Sequence, residues 1–369
     1  MGCCRATYNK ALAHIKEGKR HEKSFYWLRN RFVNECNVPD SQKYLLDCPK
    51  HVREGAMKDL SEAFSTNFKI RKKNPRHVFD IRFRCKRDSH SIVIPKTAIT
   101  PCDTGLRIYP KMLSSDPIGL MHPGKMPKPT ADCRLSQDRT GRWVLFVPTE
   151  VQTFAPAGEN QTGRVCSIDP GVRTFASTWS PGGDAFKLGD GDATRAYELL
   201  IRMDKLVSSC ANTNGRSRYR KKKVLARLRH RVENVQRDMH YQIANFLVTK
   251  YDKIIIPVFG SKRMSAKMGR RLTTKTVRSM LGLGHYAFRQ RLKDVAERLG
   301  KSVFECTEEY TSKTCSRCGH IHHTLGSAKT FKCAECGLVI DRDLQGAFNI
   351  FLKYAKEHPE FARGEGLQR

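Results

Sequence analysis

Over residues 5 to about 70 the apolar positions recur at helical spacing. Tyr8, Leu12 and Ile15 make one stripe, and Phe25, Leu28 and Phe32 make a second. Asn37-Val38-Pro39-Asp40 interrupts the pattern, and Pro49 marks a fresh helix start ahead of Met57, Leu60 and Phe64. Lys and Arg fill the intervening positions, so each helix is predicted to carry a core face and a basic face.

From about residue 75 the period shortens to two. The runs His77-Val78-Phe79-Asp80-Ile81-Arg82-Phe83-Arg84, Ser91–Ile94, Gly105–Tyr109 and Trp143–Val147 are separated by Pro, Gly and Asp. They predict a small antiparallel barrel or sheet. In the first run, alternation sets Phe79, Ile81 and Phe83 on one face and Arg82 and Arg84 on the other.

A third pattern begins near Gly163. Val165-Cys166-Ser167-Ile168-Asp169 predicts a buried strand ending in a carboxylate, with a second strand through Phe175–Trp179. A helical pair follows, broken at Ala211–Gly215. Its second arm sets Leu225, Leu228, Val232, Val235, Met239, Ile243 and Phe246 at alternating three- and four-residue steps, a coiled-coil-like seam. Ile254–Val258 predicts another strand, Val277–Leu299 an amphipathic helix, Lys301–Glu308 a further strand, and Asp343 the start of a last helix. Strand-helix alternation over this region argues for an α/β domain with a mixed sheet.

Charge narrows the partners. The 369 residues hold 68 Lys and Arg against 36 Asp and Glu, a net charge of +32. Such an excess suits a polyanion, because phosphates neutralised by Lys and Arg release condensed counterions. The basic residues run along almost the whole chain rather than one amphipathic face, which favours nucleic acid over a membrane surface. The densest run, Arg216, Arg218, Arg220, Lys221, Lys222 and Lys223, opens the second arm of the helical pair. It and Arg82 and Arg84 are the candidate phosphate contacts. Met1-Gly2-Cys3-Cys4 is similar to an acylation start, but position 6 is Ala where Ser or Thr is required.

Cysteine spacing supplies a metal site. Cys315-x2-Cys318-x14-Cys333-x2-Cys336 has the form of a zinc ribbon, with Gly319 and Gly337 directly after each pair where a knuckle needs a permissive backbone. A closed set of four thiolates leaves no position for water, so the ion is expected to be structural. The other ten cysteines lack regular spacing, which argues against a disulfide framework.

Carboxylates flank the ribbon: Glu308-Glu309 before it, Asp341-Arg342-Asp343 after it. Together with Asp169 they suggest phosphodiester hydrolysis with two divalent ions, Mg2+ being the cation such hard ligands suit. A lone Asp at a turn or helix start is more often a cap than a catalyst.

Ser167-Ile168-Asp169-Pro170-Gly171, Tyr310-Thr311-Ser312-Lys313-Thr314-Cys315, the four cysteines and Asp341-Arg342-Asp343 through Asn349 together resemble the RuvC-like nuclease of the TnpB and Fanzor families. These are transposon-associated, RNA-guided DNA endonucleases. The resemblance is tight over roughly 163–355 and looser over 5–160. It implies a multidomain α+β chain: a helical recognition domain over 1–72, a small β-barrel wedge domain over 73–160, and an RNase H-like (RuvC) α/β nuclease domain over 161–369 with the zinc ribbon inserted at 311–340. It implies Asp169 and Asp343 as the first and last catalytic acids, with Asp341 a neighbour. The middle acid of TnpB-like proteins ends an apolar strand, where this chain has Pro257. The Fanzor branch carries a relocated Glu just before Tyr-Thr-Ser. Glu308 fits that place best and Glu309 is its competitor, and in an extended strand the two point to opposite faces. Implied partners are an omega-type guide RNA and target DNA in a monomeric ribonucleoprotein without a membrane, with structural Zn2+, two Mg2+ ions and a nuclear location. The wedge is expected to be incomplete, since the family's first wedge strand precedes the helical block. Pro257 keeps a second reading open, a weakened or inactive RNA- and DNA-binding protein, and the transposon association leaves a DNA transposase as a third.

Overall fold

The computed structural model describes residues 1–18, 23–86, 88–103, 105–113, 115–119, 127–138, 140–153, 163–260, 264–265, 273–323, 326 and 328–361. It divides into two compact units, Met1–Glu150 and Val151–Arg369.

The first unit opens with helices α1 (Gly2–Lys16), α2 (Phe25–Phe32) and α3 (Lys50–Lys73). The apolar stripes meet in one core of Tyr8, Leu12, Leu28, Phe32, Met57, Leu60 and Phe64. Arg53 is buried within it at 2% exposure and donates to the carbonyls of Val33 (2.7 Å) and Cys48 (3.2 Å). That guanidinium satisfies the backbone where α2 ends, so a buried charge is tolerated.

The run 77–84 forms no strand. It crosses the helices instead, with Ile81 buried in their core and Phe79 packed on Phe64 and Phe68. The Asn9 side chain replaces a strand neighbour: its amide donates to the Arg84 carbonyl (2.9 Å) and its oxygen accepts from the Arg84 N–H (2.8 Å). Alternation therefore identified Phe79 and Ile81 as inward, but Phe83, expected on the same face, is 45% exposed while Arg84 folds in against Tyr8 and Asp59; without a partner strand the run does not keep strict alternation. Beyond it, β1 (His90–Ile94), β5 (Cys133–Gln137) and β6 (Trp143–Phe146) form one antiparallel sheet in the order β1-β5-β6. β2 (Ile99–Cys102), β3 (Gly105–Ile108) and β4 (Ile118–Gly119) form a second. Ile94, Ile99, Leu106 and Cys133, drawn from both sheets, share a core.

The second unit is built on a five-stranded sheet of β7 (Val165–Pro170), β8 (Ala176–Trp179), β9 (Ala185–Leu188), β10 (Lys253–Pro257) and β11 (Ser302–Cys306), in the order β11-β10-β7-β8-β9. β10 runs parallel to both β7 and β11, while β7, β8 and β9 are antiparallel neighbours. Alternate residues face opposite layers. Cys166, Ile168, Ile254 and Ile256 pack on the helical pair α4 (Asp190–Ala211) and α5 (Gly215–Lys250) and on α6 (Thr274–Leu283) and α7 (His285–Arg298). Val165, Ile255, Phe304 and Cys306 pack on the last helix, α8 (Arg342–Glu357). The seam of α5 is buried at Leu225, Val232, Met239 and Ile243, but Phe246 turns outward and meets Phe186 edge-on.

The single helix expected over 277–299 is two helices. Gly284 takes φ +64, a left-handed turn that ends α6 and starts α7. His240 reaches from α5 to bind the Leu283 carbonyl at 2.9 Å, satisfying a helix-end acceptor.

Candidate active site and metal centre

Strand β7 delivers Asp169 to the α8 face. Ser167, two residues earlier, faces α8 and donates its hydroxyl to the Ala347 carbonyl at 2.7 Å. By strand parity Asp169 follows on the same face. Its carboxylate meets the backbone of Gly346, where a β-carbon would overlap the carboxylate oxygen. The helix can approach this closely only because residue 346 has no side chain.

The β10–β7 register ends with Ile255 against Ser167, and by strand parity Pro257 shares the face of Ile255 as Asp169 shares that of Ser167. Pro257 in turn pairs with Cys306 of β11. Phe304 and Cys306 pack in the α8 layer, so the face that strand parity left undecided is the one Asp169 occupies. Glu308, two residues beyond Cys306, is in phase with them, and Glu309 is exposed.

Asp343 stands in the first turn of α8. Asp341 precedes it as the N-cap, accepting from the N–H groups of Asp343 (3.1 Å) and Leu344 (3.2 Å) and pairing with Lys187 at 2.5 Å. Burial works to raise the Asp341 carboxyl, but Lys187 and the two N–H donors hold it below its ordinary value. Asp341 is thus committed to the helix start.

Asp169 titrates in the opposite sense. It keeps some solvent access yet is enclosed on most sides. Burial raises its pKa, the charges of Asp343 and Glu308 raise it further, to about 8, and Arg342 opposes them. The structure therefore brings Asp169, Glu308 and Asp343 within electrostatic reach of one another. Mutual repulsion of that kind is what a hard divalent cation relieves, so the donor set fits Mg2+ chemistry. Among the described residues the three acids are not drawn into as tight a ligand group as the cysteines.

The four cysteines are. Their sulfurs all lie within 4.8 Å of one another, with Cys315–Cys336 and Cys318–Cys333 at 3.6 Å. A tetrahedron with metal–sulfur bonds of about 2.3 Å has sulfur edges of about 3.8 Å, so this set fits one zinc-sized ion. Gly319 (φ +76) and Gly337 (φ +69) supply the left-handed turn of each knuckle. The backbone N–H groups of Cys336 and Glu335 lower the Cys333 thiol, while the crowded sulfurs raise Cys318 and Cys336, a mutual repulsion that a bound cation relieves. The antiparallel pair β12 (Thr330–Lys332) and β13 (Val339–Asp341) closes a small core around Phe331, and β13 leads directly into α8.

Over 371 aligned residues the chain is 31% identical to the putative transposase A625R of Paramecium bursaria Chlorella virus 1, covering 95% of this chain and 81% of that one. The chain belongs to the Fanzor/TnpB-like family. The family description Cas12f1-like, TNB domain, matches residues 285–350, which hold Glu308, all four cysteines and Asp343. The TnpB-like protein L79 of Acanthamoeba polyphaga mimivirus is 29% identical over 247 residues, 66% of this chain. That match spans 45% of the mimivirus protein's length. The putative RNA-guided DNA endonuclease InsQ of Escherichia coli strain K12 is 25% identical across the whole of this chain and 90% of its own.

The basic candidates of this Fanzor/TnpB-like chain are not equivalent. Arg218, Arg220, Lys222 and Lys223 are exposed on the first turns of α5. Lys221 turns back to donate to Ser209 Oγ and Thr213 Oγ1, both at 2.7 Å, where α4 ends. Arg82 is exposed beside Asp80 at 2.6 Å. Arg84 is occupied within its own unit, paired with Asp59 at 2.8 Å and stacked 3.9 Å over the Tyr8 ring. These four exposed α5 cations and Arg82 remain presented to solvent.

Sequence reasoning missed three residues on α8. Gly346 makes room for Asp169, while Gln345 and Asn349, fully and largely buried, donate amides to the Thr311–Thr314 backbone. A Gln and an Asn four apart on the inward face of an amphipathic helix were the available signal.

Proposed function

We propose that this chain is an RNA-guided DNA endonuclease that hydrolyses phosphodiester bonds at a RuvC-like, RNase H-like centre. The observation that carries the reading is that Asp169 on β7, Glu308 beyond β11 and Asp343 on α8 lie within electrostatic reach of one another, which together with burial raises the Asp169 pKa to about 8. Relatives named as RNA-guided endonucleases support it. Asp169, Glu308 and Asp343 would hold two Mg2+ ions, which when bound supply an activated water and a stabilised leaving oxygen. The protein's part is to hold three carboxylates against their mutual repulsion, with Gly346 letting Asp169 approach and the Asp341 N-cap fixing the turn that bears Asp343. Zn2+ at the four cysteines is structural and sets the chain between Glu308 and Asp343.

A guide RNA of the omega type would read the target by base pairing, leaving the protein to grip backbones. The exposed cations of α5 and Arg82 suit that task. No helix among the described residues is long and apolar enough to cross a membrane. We place the complex in the nucleus as a monomeric ribonucleoprotein. A fluorescent fusion excluded from nuclei, or a dimer mass for the purified complex, would count against those two points.

Pro257, where the middle acid of TnpB-like proteins is expected, favours a second reading, in which the fold binds RNA and DNA with weakened or no cleavage. The test is to sequence RNA that co-purifies with the chain, then program the complex against matched DNA with Mg2+. Guided cleavage lost in Asp169→Ala supports the endonuclease. Guided binding without cleavage by wild type supports the second reading, and strand-transfer products would indicate a transposase.

A further inference from the structure

Two buried amides of α8 hold the segment that carries Glu308. Asn349, 7% exposed, donates Nδ2 to the carbonyls of Thr311 and Thr314, each at 2.7 Å. Gln345, fully buried one turn earlier, donates Nε2 to the Thr314 carbonyl at 2.7 Å. The chain of contacts continues toward the acid: the Thr311 hydroxyl donates to the Glu308 carbonyl at 2.9 Å, and the Thr311 N–H reaches the same oxygen at 3.3 Å. Between them Tyr310 is held at φ +65, a left-handed conformation rare for an aromatic residue, with its carbonyl accepting from Lys313, Thr314 and the Thr314 hydroxyl.

Such a strained turn persists only where its surroundings over-determine it; here α8 holds it from one side, and the ribbon backbone holds its far end through hydrogen bonds from His322 to Lys313 (2.9 Å) and from Cys315 to His320 (2.8 Å). The same helix carries Asp343 in its first turn and Gly346 against Asp169. Three carboxylates from three separate elements thus take their spacing from α8: one by attachment, one by close packing, and one through side-chain amides.

We propose that Asn349 and Gln345 are positioning residues for Glu308, clamping the 311–314 turn so that the Glu308 carboxylate is presented to the same divalent cation as Asp169 and Asp343. This rests on the acid-site reading above. A purely structural alternative is that the amides only dock the zinc ribbon, whose first cysteine, Cys315, directly follows the clamped Thr314.

Mn2+ binding by the purified full chain, followed by electron paramagnetic resonance, separates these cases without relying on cleavage. Wild type, Asn349→Leu, Glu308→Gln, their double mutant and Asp169→Ala are compared, with zinc content measured in each. The expected result is that Asn349→Leu weakens Mn2+ binding by about tenfold or more, the scale on which losing a group that orients a ligand weakens a metal site. The double mutant should bind no more weakly than Glu308→Gln alone, because the Asn acts through the Glu. Wild-type affinity in Asn349→Leu, or losses that multiply in the double mutant, overturns the proposal. Should Asn349→Leu lose its zinc, Thr311→Val decides instead: it removes only the hydroxyl on the Glu308 carbonyl, and unchanged Mn2+ affinity there overturns the proposal. Undiminished Mn2+ binding in Asp169→Ala, or none in wild type, sinks the acid-site reading itself.

Discussion

The carboxylate of Asp169 rests against the bare backbone of Gly346, one turn into helix α8. Any side chain at 346 would occupy the space the carboxylate fills. Alanine in a helix interior is ordinarily favoured over glycine by about 0.5–1 kcal/mol. Gly346→Ala is nevertheless expected to lower guided cleavage at least tenfold, because Asp169 must move off its position. Cleavage at the wild-type rate would show that the close contact is not required.

Asp169 also sets how metal binding depends on pH. Its folded pKa lies near 8, above the ordinary 3.8, so without a cation the ionised form opposes folding. That cost is absent below about pH 4, grows as pH rises, and is complete above pH 8. A divalent cation must displace the proton, so apparent Mn2+ affinity should rise up to tenfold per pH unit below pH 8 and level off above it. In Asp169→Asn the slope should flatten, and metal-free protein at pH 8 should melt higher by about 2 °C or more. A flat affinity profile in wild type would contradict this.

The buried pair His240 and His285 gives a second pH signature of opposite sense. Burial lowers both to about 4, with Arg291 adding to the effect at His240 and His240 adding to it at His285. Phe175 stacks on His285 at 4.9 Å and leaves little room for a hydrated imidazolium. The unfolded chain binds protons from about pH 6.5 and the folded chain only near pH 4, so stability is retained above 6.5 and lost as pH falls between them. Melting temperatures measured from pH 7 to 4 should fall, and less steeply in His285→Phe. An equal fall in the variant would remove His285 from the explanation.

Zinc should be inseparable from the local fold. The ribbon's core is essentially Phe331 with its neighbours Cys315 and Cys333, too small to persist alone. Cys333→Ser is expected to lose about one equivalent of zinc by elemental analysis. It should also lose hydrogen-exchange protection over 330–341, with protection in the first unit unchanged. Full protection without zinc would contradict it.

The Pro257 vacancy can be probed by moving the acid. Because Pro257 shares the face of Ile255 and pairs with Cys306, a carboxylate there would point to the layer that Asp169 faces. In a Glu308→Gln background, Pro257→Glu should restore part of the lost cleavage. No restoration, with Mn2+ binding also absent, would place residue 257 out of reach.

Much of the second unit was legible because its signals are local. The cysteine spacing announced the ribbon, and apolar runs such as Ile254–Ile256 announced buried strands. The face of Glu308 was not legible, since it depends on Phe304 and Cys306 packing on a helix some forty residues later. The run 77–84 carried strand periodicity, yet Asn9, distant in sequence, supplied its partner. Gly284 split a continuous apolar pattern that periodicity alone read as one helix. Gln345 and Asn349 looked like ordinary helix residues, because what they hold is backbone, and backbone carbonyls leave no mark on a sequence.

Guided cleavage of matched DNA in Mg2+ by wild type, Glu308→Gln and Glu309→Gln, with target binding monitored in parallel, decides whether Glu308 is the middle catalytic acid. Wild type and Glu309→Gln are expected to cut at similar rates, while Glu308→Gln still binds but cuts at least about a hundredfold more slowly. Undiminished cutting by Glu308→Gln would remove Glu308 from the catalytic centre.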